Sequence, residues 1–149
     1  MRLYLIFSIQ MLCSLTLYSQ DKKDKQELVS IECFCFGDGY LSTITIKKGF
    51  AELTINRKEK KWAYITSDIW NFFKDSIQLL NLSTIDTIKS PTSARELDGA
   101  SYCKIIIQTR QKKYETQYFD GGKPMILFQS IYKKIDLIEK GIRENVETE

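Results

Sequence analysis

The chain contains no histidine. Histidine is the side chain that most often acts as a general base near neutral pH, and it is also the commonest metal ligand in proteins. Its absence excludes serine-histidine and cysteine-histidine hydrolytic machinery and histidine-based zinc sites. No phosphate-binding loop or nucleophile motif takes its place. We therefore expect no metal and no cofactor, and the pattern favours a protein without catalytic machinery over an enzyme.

The chain also lacks a strong charge of either sign. Its 22 basic and 19 acidic side chains leave a formal charge of +3, which is too small to indicate nucleic acid or an anionic membrane as the main partner. We therefore expect no nucleic-acid partner. Hydrophobic residues make up 43% and charged residues 28% of the 149 positions, which is typical of one globular domain with a packed core.

A long apolar run occurs only at the start of the chain. Arg2 precedes an apolar stretch from Leu3 to Leu17, and Ser19 stands at its polar border. This order is typical of a cleaved secretory signal, and the run is too short for a comfortable membrane span of about 20 residues. We predict a signal peptide over residues 1–19, a secreted or periplasmic location, and no stable membrane span after cleavage. The short segment and its Ser-Gln border resemble those of secreted bacterial proteins, a resemblance that covers the targeting segment alone.

The next part of the chain predicts four strands. After a charged, flexible leader over residues 20–27, residues 28–36 are apolar on both alternating sets of side chains, which predicts a strand buried on two sides or lying centrally in the sheet. Alternation between apolar and polar residues predicts further strands over residues 40–47 and 50–57, and a short fourth strand is predicted over 62–65. Glycine-containing turns separate the first three strands, and a hydrophilic tip precedes the fourth. Successive strands joined in this way favour an antiparallel meander.

Two later segments change to helical spacing. Residues 69–80 repeat apolar side chains every three or four positions, after Thr66 and Ser67, either of which is suited to cap the helix. A second stripe of the same spacing follows Pro124, which is tolerated at a first helical position. Gly141 is predicted to end this second helix, because glycine is common just past a helix end.

Between the helices, residues 101–109 and 114–119 flank a basic turn and predict a β-hairpin. The fold class is therefore predicted as α+β. It has an antiparallel sheet, the element order β-β-β-β-α-β-β-α, and two helices packed on one face of the sheet. The single domain is expected over residues 28–141, with a polar tail over 142–149. The opposite face is then left for solvent or a partner, and its predicted exposed residues include Thr43, Thr45, Glu52 and Thr54.

Three cysteines remain after the predicted cleavage: Cys33, Cys35 and Cys103. Residues two apart on a strand point to the same side, about 6.5–7 Å apart, so Cys33 and Cys35 are poorly placed to bond to each other. In an oxidising compartment, either of them is a candidate for a disulfide with Cys103. The alternative is three buried free thiols, packed as small apolar groups.

Two aspartates stand beside glycine at the borders of the predicted hairpin, Asp98 and Asp120. Because the hairpin strands are antiparallel, we expect the two residues to approach each other at one end of the sheet. A pair of carboxylates suits calcium binding or general acid and base catalysis. Asp-Gly pairs are also ordinary turn chemistry, in which the aspartate accepts hydrogen bonds from the backbone.

Three tyrosines, Tyr64, Tyr114 and Tyr118, lie near basic hairpin tips, and aromatic and basic side chains together suit a binding surface. The sequence therefore predicts a small exported bacterial binding or inhibitor module for an unknown protein or glycan. These tyrosines are its candidate binding residues, with Asp98 and Asp120. The alternatives are a carboxylate-dependent hydrolase that uses Asp98 and Asp120, and a structural envelope protein.

Overall fold

The computed structural model describes residues 27–37, 39–97 and 100–144. The predicted signal peptide, the leader before residue 27, Asp98 and residues 145–149 lie outside the described residues. The strands are β1 (Leu28–Gly37), β2 (Tyr40–Lys47), β3 (Phe50–Ile55), β4 (Glu59–Tyr64), β5 (Tyr102–Thr109), β6 (Lys113–Glu115) and β7 (Phe119–Asp120). The α-helices are α1 (Ser67–Gln78) and α2 (Gln129–Glu144), and short 3-10 turns cover Leu82–Thr87, Ala94–Glu96 and Ile126–Phe128.

All strands pair antiparallel in one sheet, in the order β4-β3-β2-β1-β5-β6. The four strands of the predicted meander form one half of this sheet. β5 adds along the free edge of β1, and β6 and β7 both pair with the far side of β5. The predicted α+β fold with an antiparallel sheet is confirmed, and β1 and β5 occupy its centre.

Both α-helices pack on one face of the sheet, as the sequence predicts. Alternate side chains of the strands join the apolar stripes of the helices in a single buried cluster. Its members include Ile31, Ile44, Leu53, Ile105 and Ile107 of the strands, Trp70, Phe73 and Ile77 of α1, and Ile131, Ile135 and Ile142 of α2. The intervening side chains of β1 to β5 point the other way, and all of them are exposed or partly exposed. We call this second surface the open face.

The first helix begins where the sequence predicts. Thr66 is its N-cap residue, and the Thr66 hydroxyl oxygen accepts a hydrogen bond from the Ile69 backbone N–H at 3.4 Å. Asp68 lies in the first turn, where a negative charge is favourable next to the free N–H groups of the helix. Local sequence therefore explains both the start of α1 and the face that it buries.

The second helix differs from its predicted bounds at both ends. Pro124 does not start it; the chain first makes the 3-10 turn, which buries Phe128, and α2 begins at Gln129. The predicted end at Gly141 is wrong, because α2 continues through this glycine to Glu144. Ile142 is only 2% exposed and extends the stripe of Ile135 by two turns. Burial of Ile142 outweighs the weak helix propensity of one glycine.

The second strand of the predicted hairpin is split into β6 and β7. Between them, Thr116 is buried and its hydroxyl oxygen accepts the Ile105 N–H at 3.1 Å, while its own N–H donates to the Ile105 carbonyl at 3.0 Å. A side-chain oxygen thus takes the place of a backbone carbonyl in the ladder. The regular alternation of the predicted strand ends at this residue, so side chains after it change faces.

The centre of the sheet is cross-linked. Cys35 and Cys103 lie directly opposite each other on β1 and β5, with Cα atoms 4.1 Å apart, and a disulfide joins them. Cys33 is a buried free thiol whose sulfur lies 3.9 Å from the Cys35 sulfur. The strand register selects Cys35 because Cys33 faces Ile105 instead of Cys103.

We expect Gly141→Ala to raise the free energy of unfolding by about 0.4–1 kcal/mol. Apart from the adjoining residues and the nearby backbone of the helix itself, an added Cβ meets no atom within 4 Å at this position, and alanine loses less backbone entropy than glycine in a helix. Urea unfolding of both proteins measures the difference. A loss of stability would show that the helix ends at this residue in a left-handed conformation.

We expect the double variant Cys35→Ser, Cys103→Ser to lower the free energy of unfolding by about 4 kcal/mol in the chain-entropy description, given a sequence separation of 68 residues. Denaturant unfolding measures this loss. The matched control is Cys33→Ala, which leaves the bond in place. Mass spectrometry of a non-reduced digest should find the Cys35 peptide linked to the Cys103 peptide, and a Cys33–Cys103 link would contradict the pairing.

Candidate functional site

The open face is a surface of the sheet that neither α1 nor α2 covers. Its rows of side chains run across the strands from β4 to β5, as set by the register of the ladders. The four residues predicted for this face, Thr43, Thr45, Glu52 and Thr54, do lie on it and are partly exposed. Threonines and charged residues fill the middle of the face together with the partly exposed Phe34 and Ile106, and the more exposed aromatic residues stand at two of its edges.

One aromatic group lies where β3 meets the edge strand β4. Tyr64 is 82% exposed, Trp62 is 65% exposed and Phe50 is 41% exposed. Phe50 is directly opposite Tyr64 in the ladder, and the Trp62 and Tyr64 rings meet edge to face with centroids 5.3 Å apart. The Lys47 ammonium lies 5.6 Å from the centre of the Phe50 ring. We call Phe50, Trp62 and Tyr64 the aromatic corner.

Local sequence explains why Trp62 and Tyr64 lie on the same face, and the pairing of β3 with β4 adds Phe50 to them. Gly49, with φ of 92°, adopts a left-handed conformation that glycine accepts freely, and it makes the turn that folds β3 back on β2. Trp62 and Tyr64 are two apart on β4, so they share a face. Exposed apolar surface of this kind is often an interaction site, because covering it removes apolar area from water.

A second aromatic group lies at the opposite side of the open face, where β1 ends and β5 begins. The Tyr102 ring contacts both Phe36 and Tyr118, with centroid distances of 5.5 and 5.2 Å. Lys104 places its ammonium 4.3 Å from the centre of the Tyr118 ring. Tyr118, at 42% exposure, is therefore held by its neighbours and is less accessible than Tyr64.

The three predicted tyrosines do not form one site. Tyr64 and Tyr118 both lie on the open face but at opposite edges of the sheet. Tyr114 pairs with Ile107 on the helix side and packs against the core. Sequence reasoning did not select Trp62, although its spacing of two from Tyr64 was visible. It did not select Phe50, because only the register between β3 and β4 brings that ring beside Tyr64.

Asp120 is a structural anchor in this fold. Its carboxylate is 4% exposed and accepts hydrogen bonds from the Thr92 hydroxyl and from the backbone N–H groups of Ala94 at 2.9 Å and Arg95 at 2.7 Å. The Arg95 guanidinium lies 3.6 Å away. These bonds hold the 3-10 turn at residues 94–96 against β7. Its predicted neighbour Asp98 lies outside the described residues.

The environment of Asp120 favours its charged form. The hydrogen bond from Thr92 contributes most, followed by those from the Arg95 and Ala94 amides, and together they hold the pKa of Asp120 below its ordinary value of 3.8 against the opposing effect of desolvation. A general acid needs a raised pKa instead. This carboxylate therefore suits an ionised acceptor better than a proton donor.

A cleft of about 400 Å³ lies on the helix side, between α2 and the ends of β1, β2 and β5. The Cys35–Cys103 disulfide and the Tyr132 ring line it. The Tyr132 hydroxyl accepts the Gly122 N–H at 3.3 Å, and burial raises the pKa of Tyr132 to about 12. The phenol therefore stays protonated at neutral pH.

Two further features limit the chemistry of this cleft. At its rim, Arg143 donates to Glu139 and to the Tyr40 hydroxyl, so its guanidinium is already engaged. Behind the disulfide, burial raises the pKa of the Cys33 thiol well above its usual range, with a smaller contribution from the charge of Glu139. The thiolate is the reactive form of cysteine. Cys33 is thus an inert core thiol.

Comparison of the chain with protein-family models, curated proteins and solved structures finds no match in any of the three. Within the described part of the chain, no group of three or more acidic or cysteine residues is arranged to hold a metal ion. None of the helices described is both long enough and apolar enough to cross a membrane. The open face with its aromatic corner is therefore the candidate functional site.

We expect acid to weaken the fold through Asp120. Because its folded pKa is lower than its unfolded pKa, the stabilisation is complete above about pH 4 and is lost as the pH falls below that value towards the folded pKa. Asp120→Asn should lower the melting temperature by several degrees at pH 7. The melting temperature of this variant should also fall less steeply than that of the unchanged protein as the pH is lowered. Asp86→Asn, at an exposed aspartate, is the control. Equal melting curves for the two variants would contradict an anchoring role.

Proposed function

We propose that this chain is a small exported binding module, and that the open face contacts a partner protein at the aromatic corner. The observation that carries the proposal is the exposure of Trp62 and Tyr64, at 65% and 82%, on a sheet face that neither helix covers. Tryptophan and tyrosine are enriched among the residues that contribute most to protein interfaces. Covering both rings with a partner is favourable because it removes their apolar area from water.

The arrangement of the rings favours a protein over a glycan. The Trp62 and Tyr64 rings are nearly perpendicular, with an interplanar angle of 88°. A side chain of a partner fits into the angle between two such rings, whereas sugar rings stack best on aromatic rings that share a plane. The charged residues around the corner also match the polar rim of a protein interface.

Two features support export. The predicted signal peptide over residues 1–19 directs the chain out of the cytoplasm. The Cys35–Cys103 disulfide is of a kind that forms and persists in oxidising compartments such as the periplasm or the exterior. The proposed location is therefore secreted or periplasmic, as the sequence predicts.

The proposal assigns no reaction to this chain. The predicted hydrolase requires a carboxylate that is free to exchange a proton or attack a substrate, and the Asp120 carboxylate is already bound by three donors. Release of that carboxylate would also release the turn that it holds. We therefore favour binding over catalysis.

The test is site-specific photo-crosslinking in the organism that encodes the chain. We expect a benzophenone amino acid at position 62 to give a discrete protein adduct, and Tyr64→Ala to reduce its yield because the second ring is lost. The matched control carries the crosslinker at Leu137, which is 54% exposed on α2. Equal adducts from both positions, no adduct from position 62, or adducts of carbohydrate alone would each contradict the proposal.

A further inference from the structure

The aromatic corner lies on a strand whose outer edge is open. β4 is the last strand of the sheet on its side, and none of the described residues pairs with its outer edge. The Ile65 N–H donates a hydrogen bond to the Gly49 carbonyl at 3.0 Å, and this bond shows which residues of β4 direct their backbone groups towards β3. In an antiparallel pair the bonded positions alternate, so the backbone groups of Lys60, Trp62 and Tyr64 point outward.

The opposite side of the sheet offers no comparable edge. There, β6 has three residues and β7 has two, and Thr116 interrupts them. β4 has six residues in regular pairing with β3. An open edge strand of this length presents a row of unpaired N–H and C=O groups to any extended chain that approaches it.

Basic charge is concentrated around this edge. Residues 47–64 contain six basic and two acidic side chains, a formal charge of +4, which exceeds the +3 of the entire chain. Both acidic residues form ion pairs within this segment, Glu52 with Lys60 at 2.9 Å and Glu59 with Lys61 at 3.0 Å. The basic side chains without an ion pair among the described residues are Lys47, Lys48, Arg57 and Lys58.

These four cations, unpaired within the described part of the chain, lie at the two ends of β4. Lys47 ends β2 and Lys48 lies in the turn that follows, near Tyr64, and Arg57 and Lys58 precede Glu59 at the other end of the strand. A second copy of this chain paired along the same edge would bring like charges together, which is unfavourable. An acidic segment gains attraction at both ends instead.

We infer that the outer edge of β4 binds an extended, acidic segment of the partner protein as an additional strand. This inference rests on the proposed function and deepens it. The backbone of the segment pairs with Lys60, Trp62 and Tyr64, and its carboxylates meet the cations at the ends of β4. The side chains of the segment that lie on the open face contact the Trp62 and Tyr64 rings. β4 therefore recognises the backbone, the charge and the apolar side chains of the segment.

The experiment uses Trp62 as its own reporter. Trp62 and Trp70 are the two tryptophans of the chain, and Trp70 is buried in α1, so the Trp70→Phe protein reports through Trp62 alone. The probe is a synthetic peptide of alternating glutamate and valine, titrated while Trp62 emission is followed. We expect it to bind at least about tenfold more tightly than the same peptide with lysine in place of glutamate.

Strand pairing has a further signature. A strand uses only alternate N–H groups along one edge, so we expect N-methylation of one alternate set in the acidic peptide to weaken binding about tenfold. Methylation of the other set should change it little. Equal losses from both sets would overturn the strand-pairing inference and leave the proposed function standing.

A matched pair of protein variants tests the same edge. Lys60→Ala removes a charge and keeps the outward N–H, whereas Lys60→Pro also removes that N–H, a change that edge strands tolerate. We expect the proline variant to bind the acidic peptide about tenfold more weakly than the alanine variant. Circular dichroism establishes that both are folded, and if the proline variant is not, the N-methylated peptides decide the question.

Other ligands are outcomes of the same titration. Tighter binding of the lysine peptide, of a polythymidine oligonucleotide or of phosphatidylglycerol vesicles would overturn the acidic-segment inference. Absence of any Trp62 response to the acidic peptide would overturn it as well. If crosslinking at position 62 still yields a protein adduct in those cases, the proposed function survives; if it does not, both fail.

Discussion

The pairing of β1 with β5 is the constraint on which the rest of the structure depends. It joins the meander to the second half of the chain along the whole length of both strands, and the Cys35–Cys103 disulfide lies within it. Local contacts cannot supply this join, because the paired residues are 68 positions apart at the disulfide. Closing so long a loop is entropically unfavourable, and the disulfide reduces that loss by restricting the unfolded chain.

The same pairing decides what is left uncovered. With β1 and β5 side by side, α1 and α2 reach the same face of the sheet and bury their stripes in one cluster. No element among the described residues crosses to the other face. Stability of the fold alone gives no reason for Trp62 and Tyr64 to stand on that open surface, where they bury little area. Their exposure is the observation that the proposed binding function accounts for.

Asp120 differs from the aromatic corner, because its residue type suggests a catalytic or calcium-binding role but its contacts are structural. Strongly perturbed ionisable groups cluster at functional sites, but ion pairs and anchoring networks perturb them as well. Here three donors point at one buried carboxylate and fix a turn. Cys33 is similar, because its thiol is next to a disulfide but burial keeps it protonated. Proximity of reactive groups is not evidence of reactivity.

The sequence by itself determined the parts of this protein that depend on local periodicity. Alternation placed β2 and β3 and the faces of their side chains, an apolar run placed β1, and helical spacing with the Thr66 cap placed α1. These features are readable because they arise from neighbours within a few residues of each other. Only the second half of β4 was predicted, because its first three residues, Glu59 to Lys61, have the composition of a hydrophilic tip. The class of fold followed from the order of the elements.

Only the tertiary structure decided which distant residues meet. Cys33 and Cys35 share one face and are equivalent by pattern, and the register of β1 on β5 selected Cys35. Because Ile142 is buried, α2 continues past Gly141. The hydrogen bonds between Thr116 and Ile105 divide a predicted strand into two, and Tyr114 and Tyr118 therefore lie on different faces of the sheet. Phe50 joined Trp62 and Tyr64 through strand pairing alone. All of these features have one physical reason. Strand register and burial depend on residues far along the chain, and a local sequence pattern does not indicate which distant residues will be in contact.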